Sequence, residues 1–365
     1  MRTIAKRYLK WALVALSFML YGVTILSAYG GYMNPERWTL PAMSVLVFPY
    51  LAIVTLIISI AWIVIKRYVP GCIGIAVLLA CGPTFMEAVP FSLHGTGQKG
   101  ERTFKMITYN CVHFWDLRNP EAKTSRSLSY IINSDADFVC LQEVYRLNGS
   151  ELRQTTQAQL DSLLAKYPYH TEDRKRDVKF FSKYPFEVIH KDLKKGDNYR
   201  GFEICRLKID GHPLTVINVH MPSFALTDSE RNVLTDMSDY KTAKKSIEKM
   251  EGSLYRKLKK AFQWHAKVSG ALADVTKELE EPIILCGDFN DVPGSWSYRQ
   301  FIKAGFKDAY SETGFGHLIT YNMHLMYFHI DQILYKGDLM PVYVKKNKLN
   351  ASDHYPLEAE FSFFK

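Results

Sequence analysis

The chain has 365 residues, 46 Lys/Arg against 37 Asp/Glu, and a formal net charge of +9. That length accommodates a membrane-embedded unit plus one domain of roughly 250 residues. The charge does not mark a dedicated nucleic-acid binder: residues 1–100 hold 8 Lys/Arg and 2 Asp/Glu, leaving 38 and 35, a net of +3, for the remainder.

The first elements are apolar. Residues 11–35 and 38–65 carry no charge, and each exceeds the ~20 apolar residues needed to cross a bilayer. Tyr68 to Met86 is also uncharged, with Pro70, Gly71, Gly74, Gly82 and Pro83 around an apolar centre. We count three membrane helices, about 11–33, 40–65 and 69–90, in an anchor over residues 1–91. Arg2, Lys6, Arg7 and Lys10 precede the first span, and Lys66 and Arg67 follow the second. The positive-inside rule puts these flanks in the cytoplasm. Three spans then place the C-terminal domain on the extracytoplasmic side of the inner membrane; two would place it inside. Lys99, Arg102 and Lys105 weigh against export. Residues 92–102, rich in glycine and polar residues, read as a linker.

From residue 103 onward strands and helices alternate. Phe104–Cys111, Phe138–Leu141, Lys179–Phe181, Phe186–His190, Phe202–Ile209, Leu214–His220, Ile283–Cys286, Ile330–Tyr335 and Pro356–Phe363 read as strands. Ser125–Asn133 and Thr155–Ala165 read as helices. Thr227–Glu281 opens with a capping-box pattern, Thr227 to Glu230, and steps by three or four through Ile247, Met250, Leu254, Leu258, Ala261, His265, Val268 and Leu272. It predicts one long amphipathic helix, or two broken near Gly252 or Gly270. Its lysine-rich face is a solvated surface, with contact to anionic lipid as the functional alternative. This mixture suits an α/β domain, a two-sheet sandwich flanked by helices. Cys111, Cys140, Cys205 and Cys286 lie in strand-like runs without metal-ligand spacing, as buried thiols do.

Polar residues recur at the ends of these strands. They are Asn110, Glu143, His220, the pair Asp288 and Asn290 in Gly-Asp-Phe-Asn, Asp331, and Asp353-His354 in Ser-Asp-His-Tyr-Pro. All can converge on one rim. A carboxylate for a hard cation, a carboxylate to activate water and imidazoles to stabilise oxyanion charge are what phosphoester hydrolysis requires. On an extended chain Asp288 and Asn290 point the same way and Phe289 points into the core.

Carried by Gly287-Asp288-Phe289-Asn290, Ser352-Asp353-His354-Tyr355-Pro356 and Leu141-Gln142-Glu143, the region from about 103 to 363 resembles the endonuclease/exonuclease/phosphatase superfamily. The resemblance implies a four-layer α/β/β/α sandwich over residues 103–365 behind the transmembrane segment, and a Mg2+ ion, or Mn2+, held by Glu143 with Asn110 and Asp353. It also implies that Asp288 orients or deprotonates the attacking water and that Asn290 and His220 contact the phosphate. His354 then stabilises the transition state, oriented by Asp331. The family often carries a second acidic or tyrosine residue behind the first histidine; Lys179 to Pro185 holds no match. Arg200 is a further candidate phosphate contact. The other partners expected are the lipid bilayer and a phosphoester substrate: a lipid headgroup, nucleic acid or a small phosphodiester. No protein partner is expected. The alternatives are a nuclease and a catalytically silent, membrane-tethered binding module of the same fold.

Overall fold

The computed structural model describes residues 2–92, 102–144, 147, 154–172, 176–190, 201–224, 240–323 and 326–364, with side chains of residues 2–6 and 240–253 excepted. Most of the expected linker, the Thr227–Glu230 capping pattern, Arg200, and the side chains of Lys244, Lys245 and Lys249 lie outside the described residues.

The N-terminal unit is helical: α1 (Arg2–Tyr29), α2 (Thr39–Ser44), α3 (Phe48–Val64), α4 (Tyr68–Ala80) and α5 (Gly82–Ala88). The stretches Arg7–Tyr32 and Thr39–Val64 are long and apolar enough to cross a membrane, each 26 residues, with mean hydropathy 1.8 and 2.4. The expected third span is not one straight helix. It bends by 60° between α4 and α5, where Pro83 lacks an N–H and disfavours helical geometry at the residue before it. Small and hydroxyl residues let the helices approach closely. The hydroxyls of Thr24 and Thr55 lie 2.8 Å apart, Trp62 Nε1 donates to Ser17 Oγ at 2.9 Å, and a Cβ on Gly74 would sit 2.0 Å from Ser59 Oγ.

Two six-stranded sheets follow. The first comprises β1 (Thr103–Asn110), β2 (Phe138–Gln142), β3 (Tyr169–His170), β4 (Val178–Ser182), β13 (Leu339–Lys346) and β14 (Leu357–Phe363), in the order β13-β14-β1-β2-β4-β3. The second comprises β5 (Phe186–Val188), β6 (Phe202–Ile209), β7 (His212–His220), β8 (Ile283–Asp288), β9 (Lys307–Asp308) and β12 (Asp331–Lys336), in the order β5-β6-β7-β8-β12-β9. Phe104, Phe138, Phe180 and Phe361 of the first sheet form one core with Leu207, Val216, Ile284 and Ile333 of the second. The outer face of the first sheet is covered by α6 (Arg126–Asn133) and α7 (Gln157–Lys166), through Leu128, Ile131 and Leu163. The outer face of the second is covered by α8 (Tyr240–Thr276) and α9 (Trp296–Lys303), through Val268, Leu272 and Phe301. The result is the α/β/β/α sandwich. The α8 helix runs unbroken through Gly252 and Gly270. A short helix, α10 (Ala309–Thr313), and a hairpin, β10 (Tyr321–Met323) with β11 (Met326–Phe328), were not evident from the sequence; nor were β13 and α9.

Register positions the site. Each sheet has one central parallel pair, β1 with β2 and β7 with β8. Asn110 stands level with Gln142, and His220 with Asp288; antiparallel β12 sets Asp331 beside Asp288.

The helical unit is packed onto the sandwich. Arg299 of α9, almost fully buried, makes two hydrogen bonds to Glu87, at 3.0 and 2.7 Å, and lies 3.7 Å over the ring of Tyr32. Gly31 approaches Gly294 so closely that a Cβ there would meet its carbonyl oxygen at 1.7 Å. Val45 packs with Val292, Tyr321 and Ile330. Tyr50 Oη donates to the Tyr327 carbonyl at 3.0 Å. A buried guanidinium that loses its only carboxylate is costly. Glu87→Ala should therefore destabilise the joint by about 3 kcal/mol, measured as a lower thermal midpoint and faster proteolysis between the two units. Unchanged values would show that the pair contributes nothing to docking.

Candidate active site

The strand ends turn sharply where the polar residues begin. Glu143 and Asn290 have left-handed backbones, φ 57° and 47°, and so do Val112, His113 and Phe114 just beyond Asn110. For non-glycine residues this costs about 1–3 kcal/mol each and requires support from the surroundings. Gly287 has φ 139°, and a Cβ there would lie 1.9 Å from the Val219 carbonyl oxygen, so only glycine allows β8 to run level with β7 at this point. The left-handed turn at Asn290 corrects the expectation that Asp288 and Asn290 lie parallel on an extended chain. Asn290 curls back, its N–H donating to Asp288 Oδ1 at 2.8 Å and its amide Nδ2 to the Met221 carbonyl at 2.9 Å. Phe289 is fully buried and packs edge-on against Phe301.

Asp288 is the centre of the cluster. Asn110 Nδ2 donates to Asp288 Oδ2 and to Glu143 Oε1, both at 3.0 Å. The Nε2 atoms of His354 and His220 lie 3.6 and 3.8 Å from Asp288 Oδ2, and His220 Nε2 is 3.9 Å from Glu143 Oε1. His354 Nδ1 is 2.8 Å from Asp331 Oδ2, and the His354 ring packs against Tyr321 at 5.1 Å. Asp353 joins through Ser352, whose hydroxyl donates to the Asn110 carbonyl at 2.9 Å and contacts Asp353 Oδ1 at 3.2 Å. All eight residues anticipated from the sequence thus lie around one rim.

The partner of His220 is Asp177, which the sequence reading missed. Its Oδ2 lies 2.6 Å from His220 Nδ1. Asp177 directly precedes β4, two residues upstream of the segment in which a partner was sought; the signal was an acid abutting the fully buried run Val178–Ser182. His265 of α8 was also passed over as a packing residue. It is buried, with Nε2 2.6 Å from the Pro222 carbonyl oxygen and Nδ1 3.7 Å from Asp291, tying together the loops that follow His220 and Asn290.

Electrostatics follow from this packing. Burial pushes Asp288 up to about 6, with the charge of His354 opposing and that of Asp331 reinforcing the rise. Burial disfavours the His220 cation, but the Asp177 hydrogen bond and the charges of Asp288, Asp177 and Glu143 outweigh it and raise His220 to about 9. Burial likewise opposes the His354 cation, and the charges of Asp331 and Asp288 raise that group well above the ordinary imidazole value.

The oxygens suit a hard cation. Glu143 is partly open to solvent, and Asp331 Oδ1 is buried without a hydrogen-bond partner among the described residues. Ligand atoms of Asp288, Asp331 and His354 also lie within 4.8 Å of one another. A cationic His354 between the two carboxylates makes that trio a proton-holding group, whereas Glu143 and Asp353 offer oxygen ligands of the kind Mg2+ prefers. The Asn110 amide turns its nitrogen to Glu143 and Asp288, so it positions the carboxylates.

Comparison with known proteins agrees with this architecture. Residues 107–354 match the Endonuclease/Exonuclease/phosphatase family, and the chain belongs to that family, whose members are hydrolases acting on phosphoester bonds. Residues 10–87 match a domain of unknown function (DUF8431). No curated protein matches the chain. Similar solved structures include a humanized D. rerio TDP2, at 17% identity over 71% of this chain and 99% of that one, TM-score 0.49. Another is the 3' phosphatase NExo from Neisseria bound to a product DNA hairpin, at 18% identity over 71% and 100%, TM-score 0.45. A third is a beta toxin mutant from Staphylococcus aureus with bound magnesium ions, at 16% identity over 72% and 100%, TM-score 0.42.

Removing the Asp177 charge should lower the His220 titration midpoint from about 9 toward the free imidazole value of about 6.5. The stability contributed by the pair is complete below about 6.5 and is lost as pH rises through about 9. Imidazole resonances followed against pH in Asp177→Asn would show the change; an unmoved midpoint would mean that Asp177 does not set the charge of His220.

Proposed function

We propose that the protein is a membrane-anchored, Mg2+-dependent phosphoester hydrolase, with an anchor over residues 1–91, a linker over 92–102 and a catalytic domain over 103–365. The observation that carries the catalytic reading is one carboxylate oxygen, Asp288 Oδ2, flanked by two imidazoles and an amide. Glu143 and Asp353 would hold the ion, or Mn2+ in its place, with Asn110 positioning Glu143. When bound, the ion polarises a phosphoryl oxygen and makes nearby water more acidic.

The protein's own groups do the rest. Asp288, raised toward neutrality by burial, orients the attacking water and accepts its proton. The Asn290 amide has a second N–H beyond the one given to Met221, and this reaches a phosphate oxygen. His220, kept cationic by Asp177, donates to another. His354, held by Asp331, stabilises the negative charge that develops in line and protonates the departing ester oxygen as its bond to phosphorus breaks. A silent binding module needs no such arrangement of buried charge.

The docking supports one reading of sidedness. The turn between α1 and α3 touches the sandwich through Gly31, Tyr32 and Val45, and the end of α5 touches it through Glu87 and Ala88. Lys66 and Arg67 lie at the opposite end of α3, a 26-residue helical stretch away. If α1 and α3 cross the bilayer, α4 and α5 together return the chain, making three crossings. The basic flanks then put the catalytic domain outside the cytoplasm.

Two experiments test this. With the full-length protein, Glu143→Gln should lose activity that excess Mg2+ partly restores, because it weakens ion binding. Asp288→Asn and His354→Ala should lose about 10²–10⁴-fold in turnover with no such rescue. Equal rescue of Asp288→Asn and Glu143→Gln would remove the roles assigned here. For topology, a cysteine replacing Glu36 should react with an impermeant maleimide in intact cells, and one replacing Lys66 only after lysis. The reverse pattern would place the domain in the cytoplasm.

A further inference from the structure

The direction of the strands decides what the catalytic rim faces. In the first sheet β1 runs from Thr103 to Asn110, and in the second β8 runs from Ile283 to Asp288, so both finish at the active-site end. The helical unit docks at that same end. Gly31 abuts Gly294, Val45 packs on Val292, and Glu87 grips Arg299, all just beyond the end of β8. The separation is short. Val45 shares a cluster with Tyr321 and Ile330; Tyr321 packs on the His354 ring, and Ile330 precedes Asp331. The helical unit thus joins the same apolar cluster as the ring that packs on a catalytic imidazole.

The sandwich also presents its own apolar rim here. Phe315, 68% exposed, packs edge-on against Phe91 at 5.4 Å, and Tyr327, 38% exposed, bears the carbonyl that Tyr50 engages. Aromatic residues at such a boundary sit at the headgroup level of a bilayer. A small apolar crevice of about 20 Å³ lies at the joint between Val45, Phe48 and Tyr50 on one side and Val292, Pro293 and Phe328 on the other.

Building on the phosphoester hydrolase reading, we propose that the substrate is the phosphoester headgroup of a bilayer lipid, taken from the membrane beneath the rim while its hydrocarbon chain stays in the bilayer. A lipid needs no clearance between rim and membrane, whereas a nucleic-acid strand would have to be drawn between them. The near-neutral balance of residues 101–365, 38 basic against 35 acidic, provides no surplus of positive charge to hold a polyanion there.

The test uses the full chain reconstituted with Mg2+ in phosphatidylcholine vesicles carrying phosphatidylethanolamine, phosphatidylglycerol and sphingomyelin. Parallel arms use soluble bis(p-nitrophenyl) phosphate and single-stranded DNA and RNA oligonucleotides. Hydrolysis of a vesicle lipid is expected. The double variant Phe315→Asp, Tyr327→Ala should slow it about tenfold while the soluble diester rate stays within about twofold and thermal unfolding is unchanged. Three outcomes would overturn the lipid proposal and leave the hydrolase reading standing: cleavage of the soluble diester with no vesicle lipid consumed, faster cleavage of the oligonucleotides than of any lipid, or equal loss in both arms for the rim variant. A folded protein inert in every arm would overturn the hydrolase reading, and this inference with it.

Discussion

A single amide nitrogen joins the two halves of the site. Asn110 stands at the end of the first sheet, yet its Nδ2 donates one hydrogen to Glu143 beside it and the other to Asp288 at the end of the second sheet. Burial and the charge of Asp331 already disfavour the Asp288 anion, so Glu143 and Asp288 need a link that brings no further negative charge. A neutral donor between them satisfies both without adding charge. Its orientation is fixed by that pairing, because a reversed amide would aim its oxygen at two acceptors. The histidines then approach Asp288 from the remaining directions, and each is backed by a further carboxylate, Asp177 or Asp331. Hydrogen bonds from Asn110 and to the two outer carboxylates hold these groups in place, with the imidazoles facing Asp288 at 3.6 and 3.8 Å.

That arrangement needs the two sheets to meet without slipping, and the apolar core alone does not supply this. Hydrophobic packing is nondirectional and tolerates small shifts. Just below the site, Gln142 Nε2 donates to Asn218 Oδ1 at 2.6 Å, and Asn218 Nδ2 donates to the carbonyls of Leu141 and Lys179, each at 3.0 Å. These groups are almost fully buried, so misregister would leave polar atoms unpaired, a cost of about 1–3 kcal/mol for each. Gly287 has a related steric function, since any side chain there would push β8 off the Val219 carbonyl. Apolar matter provides the stability, and a few buried polar groups set the alignment that the chemistry requires.

The parts legible in the sequence are those encoded locally. The strands that carry Asn110, His220 and Asp288 announce themselves by buried β-branched runs, and the capping residues Ser125 and Thr156 mark where α6 and α7 begin. Choosing the four-layer arrangement required the family resemblance, because alternating strands and helices suit several layered folds. What stayed hidden depends on distant contacts or on backbone turns. Asp177 meets His220 across 43 residues, and Arg299 meets Glu87 across 212. The left-handed turn at Asn290 is indistinguishable in sequence from an extended Asp-Phe-Asn. The strand β13 contains Pro341 and two lysines, which mask an edge strand. The apparent third span reads as one apolar run, but Gly82-Pro83 converts it into two helices at 60°.

The bend has a structural consequence. A straight helix from Tyr68 would carry its end away along its own axis, whereas the turn at Pro83 brings Glu87 back beneath α9, where it meets Arg299. Arg299 in turn donates from Nε to the carbonyl of Gly294, in the loop that follows Asn290. Glu87, Arg299 and Gly294 thus form a continuous hydrogen-bonded path from the helical unit to the loop that follows Asn290. His265 braces the other side of that loop through Asp291. A flexible tether would leave the rim free to tumble relative to the helical unit. A buried bidentate ion pair, a guanidinium stacked on Tyr32 and two glycine backbones in contact fix its orientation instead. The loop after Asp288 therefore takes its position from both units at once.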